Sequence, residues 1–396
     1  MRLIFVNRFY WPELPATGQL LADLAEAMAK RGHEVHVITS HSGEAGLPRR
    51  DLHAGVQIHR VRSRRSTTGS VPGKAMDFLA FYLGALWRLW REARRGNVIV
   101  ALTDPPLLGI GAWLVAVARG ARLVHWVQDI YPEVAIELAG QSWLRLVRPL
   151  RNLAWRRAAR CVTLGSDMAA RLTRAGVEPA RIAVVPNWAP AGLATADAAG
   201  SAALRHTWGL EGKFVIAYSG NLGRVHDLDP VLAVAQALRD DTGIAFVFIG
   251  GGPQRPALEA SAQRLGLANV RFVPAQPRAQ LAAALGTGDL HLVTLRPGCE
   301  ALVFPSKLYG IVAVHRPVLF IGPRDCEIAR TVRDHGLGQA FHGSDVTGIA
   351  AGIRRMAGDP AERARYAQPA AEFARAHDAG TATARWSAIL ETVQAC

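Results

Sequence analysis

The residue types best suited to chemistry gather in the run from Gly298 to Gly310, where one carboxylate, Glu300, and one amine, Lys307, stand on either side of Pro305. The spacing predicts a polar loop leading into a helix near Lys307 and then an apolar strand ending at Gly322. That order places an acceptor for hydroxyl hydrogen bonds and a cation at the carboxyl end of a parallel sheet, where open α/β folds bind ligands. Backbone N–H groups at such a helix start favour an anion. With a second glycine-containing loop near Gly18, these residues predict a nucleotide-sugar site between two domains.

Other segments add to that chemistry. In Ser219–His226, Gly220 and Gly223 with Asn221 and Arg224 make a diphosphate cradle. Gly250, Gly251 and Gly252 end an apolar run and can approach a base or ribose, although a tight turn needs the same residues. Asp129 follows a β-branched run and is placed to orient, or take a proton from, a sugar hydroxyl. The nearby His125 reads as a satisfied core residue. Gly18 either lets a phosphate or sugar approach backbone N–H groups or merely follows a Thr17 cap. Glu327 either faces the same cleft or charges the first turn of a helix. No G-x-G-x-x-G follows Val6, which argues against a nicotinamide enzyme.

Repeating βα units must position these groups. Apolar runs at 3–6, 35–39, 58–61, 98–102, 123–127 and 161–164 predict strands, with helices over 20–28, 75–94, 107–118 and 142–157. The stretch 186–203, rich in Pro and then in Ala, Gly and Asp, reads as a linker. The pattern restarts with strands at 214–219, 245–249, 270–272, 290–294 and 318–321 and helices near 229–239 and 254–265. Two Rossmann-like α/β halves follow from this, with a final helical stretch, 360–396, free to join either.

The chain has 396 residues, half of them apolar, enough for two full cores. Cys161, Cys299, Cys326 and Cys396 are scattered, which fits a reducing compartment and argues against a zinc ribbon. Residues 1–190 hold 26 Lys/Arg against 14 Asp/Glu, a net +12, while the remainder holds 20 against 18, only +2. Such asymmetry predicts an anionic partner. Aromatic residues Trp87 and Trp90 with Arg88 and Arg91 form one candidate lipid contact, with Arg60, Arg62, Arg64 and Arg65 upstream. Trp143, Arg145, Arg148, Arg151, Arg156 and Arg157 form a second set. Core-facing apolar residues backed by a solvated basic face are the plainer alternative. No nucleic-acid motif accompanies the charge. The opening residues lack a leader's apolar core and the run 107–118 is short of a membrane span. The expectation is a chain that is soluble or lies on a membrane surface.

Seven segments, in order, resemble one family: FYWPE with ATG (9–18), RGHEVHVIT (31–39), QDIYPE (128–133), VVPN (184–187), YSGNLGRVHD (218–227), FIGGGP (248–253) and PSKLYG with RPVLFIG (305–322). The chain resembles the GT-B glycosyltransferases of retaining family 4, of the colanic acid and O-antigen type, including L-fucosamine transferases. The resemblance implies two facing Rossmann-like domains with a deep interdomain cleft. Residues 1–190 would be the acceptor and membrane-facing domain, 191–375 the nucleotide-sugar domain, and 376–396 a helix crossing back.

It further implies retaining transfer from a UDP-sugar, without an essential metal, to a polyprenyl-diphosphate-linked glycan in bacterial surface polysaccharide synthesis. No cofactor and no nucleic acid are implied, and the chain would be cytoplasmic and peripheral on the anionic inner face of the membrane. By position, Asp129 would lie by the reacting sugar and Glu300 would hold donor hydroxyls. Gly18, Asn221, Arg224 and Lys307 would meet the diphosphate, and Gly250, Gly251, Gly252 and Glu327 the nucleoside. Tyr10, Trp11 and Glu13 would face the acceptor. The chain departs from the family where a second glutamate is usual: Gly310 stands there, with Leu302 eight residues earlier and Glu300 offset by two. The alternatives are a UDP-sugar epimerase of the same fold and a non-catalytic membrane scaffold.

Overall fold

The computed structural model describes residues 1–13, 15–41, 47–62, 71–190, 193 and 197–395. Arg64, Arg65, Cys396 and part of the expected linker lie outside the described residues. The chain divides into two compact units, Met1–Asn187 with Ala379–Cys396, and Trp188–Asp378.

The first unit is built on eight strands: β1 (Arg2–Val6), β2 (Glu34–Ser40), β3 (Arg50–His53), β4 (Val56–Val61), β5 (Val98–Ala101), β6 (Arg122–Val127), β7 (Arg160–Thr163) and β8 (Ile182–Val184). Their order is β3-β4-β2-β1-β5-β6-β7-β8, parallel except for β3 against β4. Central strands such as β1 and β5 are apolar almost throughout because helices cover both faces of a parallel sheet. The β3–β4 hairpin was not legible in the sequence. It turns on Ala54 and Gly55, both at positive φ (47 and 82), the geometry of a two-residue hairpin turn. The expected helix over 142–157 divides into a 3-10 turn, Ser142–Val147, and the helix Arg148–Arg157, because Pro149 fits only a helix's first turn.

The terminal helix Ala379–Ala395 packs on this unit, against helix Ala16–Lys30 and β5. Its Trp386 is fully buried, with its ring 4.7 Å from that of Trp126. Arg122 also donates to the Gln394 carbonyl.

The second unit carries β9 (Phe214–Ser219), β10 (Ile244–Ile249), β11 (Val270–Val273), β12 (Leu290–Thr294), β13 (Val318–Ile321) and β14 (Gly338–Phe341), all parallel in the order β11-β10-β9-β12-β13-β14. Part of the expected linker is the helix Ala198–Thr207, started by Asp197, whose carboxylate accepts from Gly200 N at 2.9 Å.

Both sheets reverse their winding once. In the first, the chain leaves β1 for β2 and β4, then returns on the other side of β1 as β5. In the second, it leaves β9 for β10 and β11, then returns beside β9 as β12. The loops after β1 and β5, and after β9 and β12, therefore splay apart at the carboxyl edges, where such sheets bind ligands.

Candidate functional site

At the switch point of the second unit, β9 ends in Tyr218 and Ser219 and gives way to the loop Gly220–Asp227. Lys307 opens the helix Lys307–Ala313 that follows β12. Its ammonium lies 2.6 Å from Tyr218 Oη, 3.1 Å from His226 Nε2 and 3.9 Å from the centre of the Tyr218 ring. The roles follow from the neighbours. His226 Nδ1 lies 2.7 Å from the Thr294 carbonyl and must donate to it, so Nε2 is left to accept from Lys307. Tyr218 accepts from Lys307 and donates to the Asn221 carbonyl at 2.8 Å.

The electrostatics are one-sided. Burial holds Lys307 well below the usual lysine range. Burial and then the Lys307 charge push His226 down to about 3, keeping it neutral. Burial raises Tyr218. No carboxylate pairs with Lys307 within 4 Å among the described residues, so two neutral acceptors serve an ammonium with three donors.

The surrounding loop is held in shape from β10. A β-carbon on Gly250 would overlap the Gly220 carbonyl oxygen, and one on Gly252 would stand 2.7 Å from Leu222 N; both glycines adopt positive φ, +138 and +142. Leu222 N donates to the Gly251 carbonyl, and Gln254 Nε2 reaches the carbonyls of Gly223 (2.6 Å) and His226 (3.0 Å). Gly250 and Gly252 thus have a packing role, whereas a β-carbon on Gly251 meets nothing within 4 Å. Asn221 and Arg224 are exposed on this loop. Tyr218 and Gln254, its supports, were not legible in the sequence, because β9 is buried on both faces and carries no alternation that singles out Tyr218.

Glu300 is partly buried, and its carboxylate accepts from Gly298 N at 3.1 Å, closing its own turn. Glu327 begins the helix Glu327–Asp334, and its charge, after burial, raises the Tyr309 hydroxyl. These two acids have local structural work whatever else they do.

In the first unit, Asp129 follows β6 and lies beside Thr103 and Asp104, which follow β5. Asp129 N donates to Thr103 Oγ1 at 3.1 Å, and Arg8 N, after β1, donates to the Asp104 carbonyl at 2.8 Å. Burial and then the Asp104 charge push Asp129 up to about 7. Asp129 lines a cavity of about 20 Å³ with Thr103, His125, Tyr131 and Arg151, room for one water. His125 is not the satisfied core residue expected. One side of its ring bonds to the Ala154 backbone, but Nε2 is buried with no partner among the described residues, and burial pushes its pKa down to about 4.

Three expectations are corrected here. Contrary to the expected acceptor contact, Tyr10 is only 1% exposed and belongs to the core, because its loop folds inward after β1. Trp11 stacks on His53 with ring centres 3.8 Å apart, and Glu13 N donates to the Tyr10 carbonyl. Thr17 does not cap the first helix, which starts at Ala16 after Pro15. Gly18 is buried inside it, where a β-carbon would lie 3.1 Å from Phe9 Cβ. Arg88 does not present its charge to solvent, since it contacts His59 Nδ1 at 2.8 Å and Glu92 at 2.5 Å.

The rest of that helix, Val71–Glu92, carries an apolar stripe that is exposed among the described residues. Met76, Leu79, Leu83, Trp87 and Trp90 are exposed at helical spacing, and Arg91 is exposed beside them. Arg119 stacks over Trp90 at 5.2 Å. Arg60 is buried instead, bonded to Asp51 and the Pro48 carbonyl. No helix among the described residues is long and apolar enough to cross a membrane.

His36, His59 and Glu92 could bring three ligand atoms within 4.8 Å of one another. The histidines bond to each other at 2.8 Å, however, and Glu92 already faces Arg2 at 2.6 Å. With Arg88 as well, two guanidinium groups occupy the place of a cation.

Two Rossmann-like units with loops of this kind at their switch points are the architecture of the GT-B fold. The chain is a glycosyltransferase of two domains: residues 17–188 match the glycosyl transferase 4-like domain and 202–373 the glycosyl transferases group 1 domain. It is 28% identical over 387 residues to WcaI of Escherichia coli K12, named for colanic acid biosynthesis, covering 90% of this chain and 92% of that one. It is 29% identical over 270 residues to WbjE of Pseudomonas aeruginosa, named as a glycosyltransferase, covering 67% of each.

Among solved structures, sucrose-phosphate synthase from Thermosynechococcus elongatus shares the fold with a TM-score of 0.81 at 16% identity, covering 100% of this chain and 99% of that one. Anabaena HepE in complex with UDP-glucose gives 0.76 at 15% identity, covering 100% of both chains. WaaG, a glycosyltransferase involved in lipopolysaccharide biosynthesis, gives 0.73 at 16%, covering 98% of this chain and 99% of that one.

Proposed function

We propose that this glycosyltransferase moves a sugar, with retention of configuration, from a UDP-sugar to a lipid-linked oligosaccharide during synthesis of a bacterial surface polysaccharide. The observation that carries the donor half of this reading is Lys307, a partly buried ammonium facing neutral partners and, among the described residues, no carboxylate within 4 Å. A diphosphate is the anion such a group lacks, and Arg224 and Asn221 on the neighbouring loop add a charge and an amide. Negative charge on the leaving UDP is then met by side chains, with no essential metal. Preorganised donors of this kind contribute about 3–4 kcal/mol each to transition-state stability.

Gly251 and Glu327 are assigned to the nucleoside, Glu300 to donor hydroxyls and Asp129 to the reacting sugar. The UDP and UDP-glucose complexes of HepE support UDP as the nucleotide, and the relatedness to WcaI supports polysaccharide synthesis. An N-acetylated 6-deoxyhexosamine such as L-FucNAc is the first donor sugar to test. The apolar stripe with exposed Arg91 supports a peripheral position on an anionic membrane, on its cytoplasmic face.

The test is a thermal-shift screen over UDP-sugars, followed by transfer to a polyprenyl-diphosphate-linked acceptor with and without EDTA. The expected result is a UDP-dependent rise in Tm and transfer insensitive to EDTA. Conversion of the donor alone to its epimer, or vesicle binding with no response to UDP, would overturn the reading.

A further inference from the structure

The loop after β6 ends in Glu133, the first residue of the helix Glu133–Ala139, and its carboxylate is almost fully enclosed. Three guanidinium groups converge on its Oε1: Arg151 at 2.7 Å, Arg148 at 3.2 Å and Arg171 at 3.8 Å. They arrive from different places, Arg148 and Arg151 on helix Arg148–Arg157 and Arg171 on helix Ser166–Arg174.

Arg151 makes the shortest of the three contacts, while Glu133 Oε2 has no hydrogen-bond partner among the described residues. Arg151 is buried, donates to Glu133 and to the Tyr131 carbonyl at 2.6 Å, and stacks on Trp155 at 3.7 Å. Arg148 and Arg171 remain about one-third exposed (33% and 35%). Arg148 Nε is buried 3.2 Å from Glu133 Oε1 and has no hydrogen-bond partner of good geometry among the described residues, and Arg171 stands too far from Glu133 to donate to it. Three guanidinium groups thus share one carboxylate, all on its Oε1, and positive charge exceeds negative in this cluster. Burial lowers the Arg151 pKa, and the charges of Arg148 and Arg171 lower it further against the opposing Glu133. Like charges gathered in this way are relieved by an anion bound from solvent.

Hydrocarbon surface adjoins the same arginines. Leu146 and Leu150 flank Arg148 in sequence and are exposed (83% and 44%), as is Trp143 one turn earlier. A ligand that satisfies both features carries phosphoryl oxygens on an apolar chain.

We propose that Arg148 and Arg171 bind the diphosphate of an isoprenoid-linked acceptor, whose hydrocarbon lies over Leu146 and Leu150. The assignment rests on the lipid-linked acceptor reading above and gives it a place on the chain. Arg151 joins that place to Asp129 through shared structure, since it also lines the cavity beside the Asp129 carboxyl.

The test is calorimetric binding to the full chain of three probes: farnesyl diphosphate, inorganic pyrophosphate and phosphatidylglycerol vesicles. Wild type is expected to prefer farnesyl diphosphate over pyrophosphate. Arg148→Gln and Arg171→Gln should each weaken farnesyl diphosphate binding about tenfold, the loss of one charge-assisted contact. Leu146→Ser with Leu150→Ser should weaken farnesyl diphosphate and leave pyrophosphate unchanged. Arg148→Lys with Arg171→Lys keeps the charge and should retain most of the affinity, which separates a binding role from a folding defect. Unchanged binding in the double glutamine variant overturns the proposal, as does a loss confined to the vesicles. The measurement needs no donor, so its outcome is independent of whether a UDP-sugar binds.

Discussion

Lys307 Nζ sits 2.6 Å from the Tyr218 hydroxyl oxygen and 3.9 Å above the centre of the same ring, so one aromatic side chain both solvates the ammonium and encloses it. Tyr218 is the penultimate residue of β9 and Lys307 the first of a helix 89 residues later. Cation–π contact and two hydrogen bonds, to Tyr218 Oη and His226 Nε2, compensate only part of the lost hydration. The site is therefore held in a state that an anion would improve.

Lys307→Met keeps the apolar stem and removes the charge. Its Tm is expected to equal or exceed that of wild type, because an incompletely paired, partly buried ammonium disappears. The UDP-dependent rise in Tm should vanish, and transfer should fall about 10²-fold. Arg224→Ala should cost a similar factor in rate with no change in Tm, its side chain being exposed. Thermal melts with and without UDP, beside initial rates, check both.

Asp129 gives a pH dependence whose sign can be worked out. Its folded pKa, about 7, is raised by burial and by Asp104, so the folded state favours the proton. The associated stability is fully present below the unfolded value and is lost as pH rises through about 7. Asp129→Asn should therefore gain stability over wild type between pH 5 and pH 8, on the order of 2–4 kcal/mol. If Asp129 acts as the ionised group in transfer, kcat/KM for wild type should rise toward a plateau with an apparent pKa near 7, and the variant should lack that limb. Denaturant melts and pH–rate profiles measure the two effects.

The triple glycine separates packing from binding. Gly250→Ala drives a methyl group into the Gly220 carbonyl at a φ of +138, and is expected to destabilise by about 2 kcal/mol or more. The methyl of Gly251→Ala meets nothing within 4 Å and should leave Tm unchanged. A loss of UDP affinity in Gly251→Ala alone would mark that residue as a ligand contact, and wild-type affinity there would remove it from the site.

On helix Val71–Glu92, Leu83→Glu with Trp87→Glu should leave Tm unchanged and weaken binding to phosphatidylglycerol vesicles by about tenfold or more, since both side chains are exposed. Arg88→Ala should do the reverse, lowering Tm through lost contacts to His59 and Glu92 with little effect on vesicle binding. Co-sedimentation and thermal melts distinguish the two outcomes.

Much of this protein was legible along the chain because βα units declare themselves through local pattern. Apolar runs of four to six residues marked the buried parallel strands, and glycine, lysine and carboxylate positions in the loops between them marked the carboxyl edges. The hairpin strand β3 escaped because its residues, Arg50–His53, are largely polar and pair with only one neighbour. What no local pattern carries is the contact between distant segments. That Lys307 meets Tyr218 and His226, that Arg88 is engaged by His59 and Glu92, and that Tyr10 turns into the core were decided by the fold. Residue type states which charge a side chain has; the packing around it decides whether that charge is already satisfied or still open to a ligand.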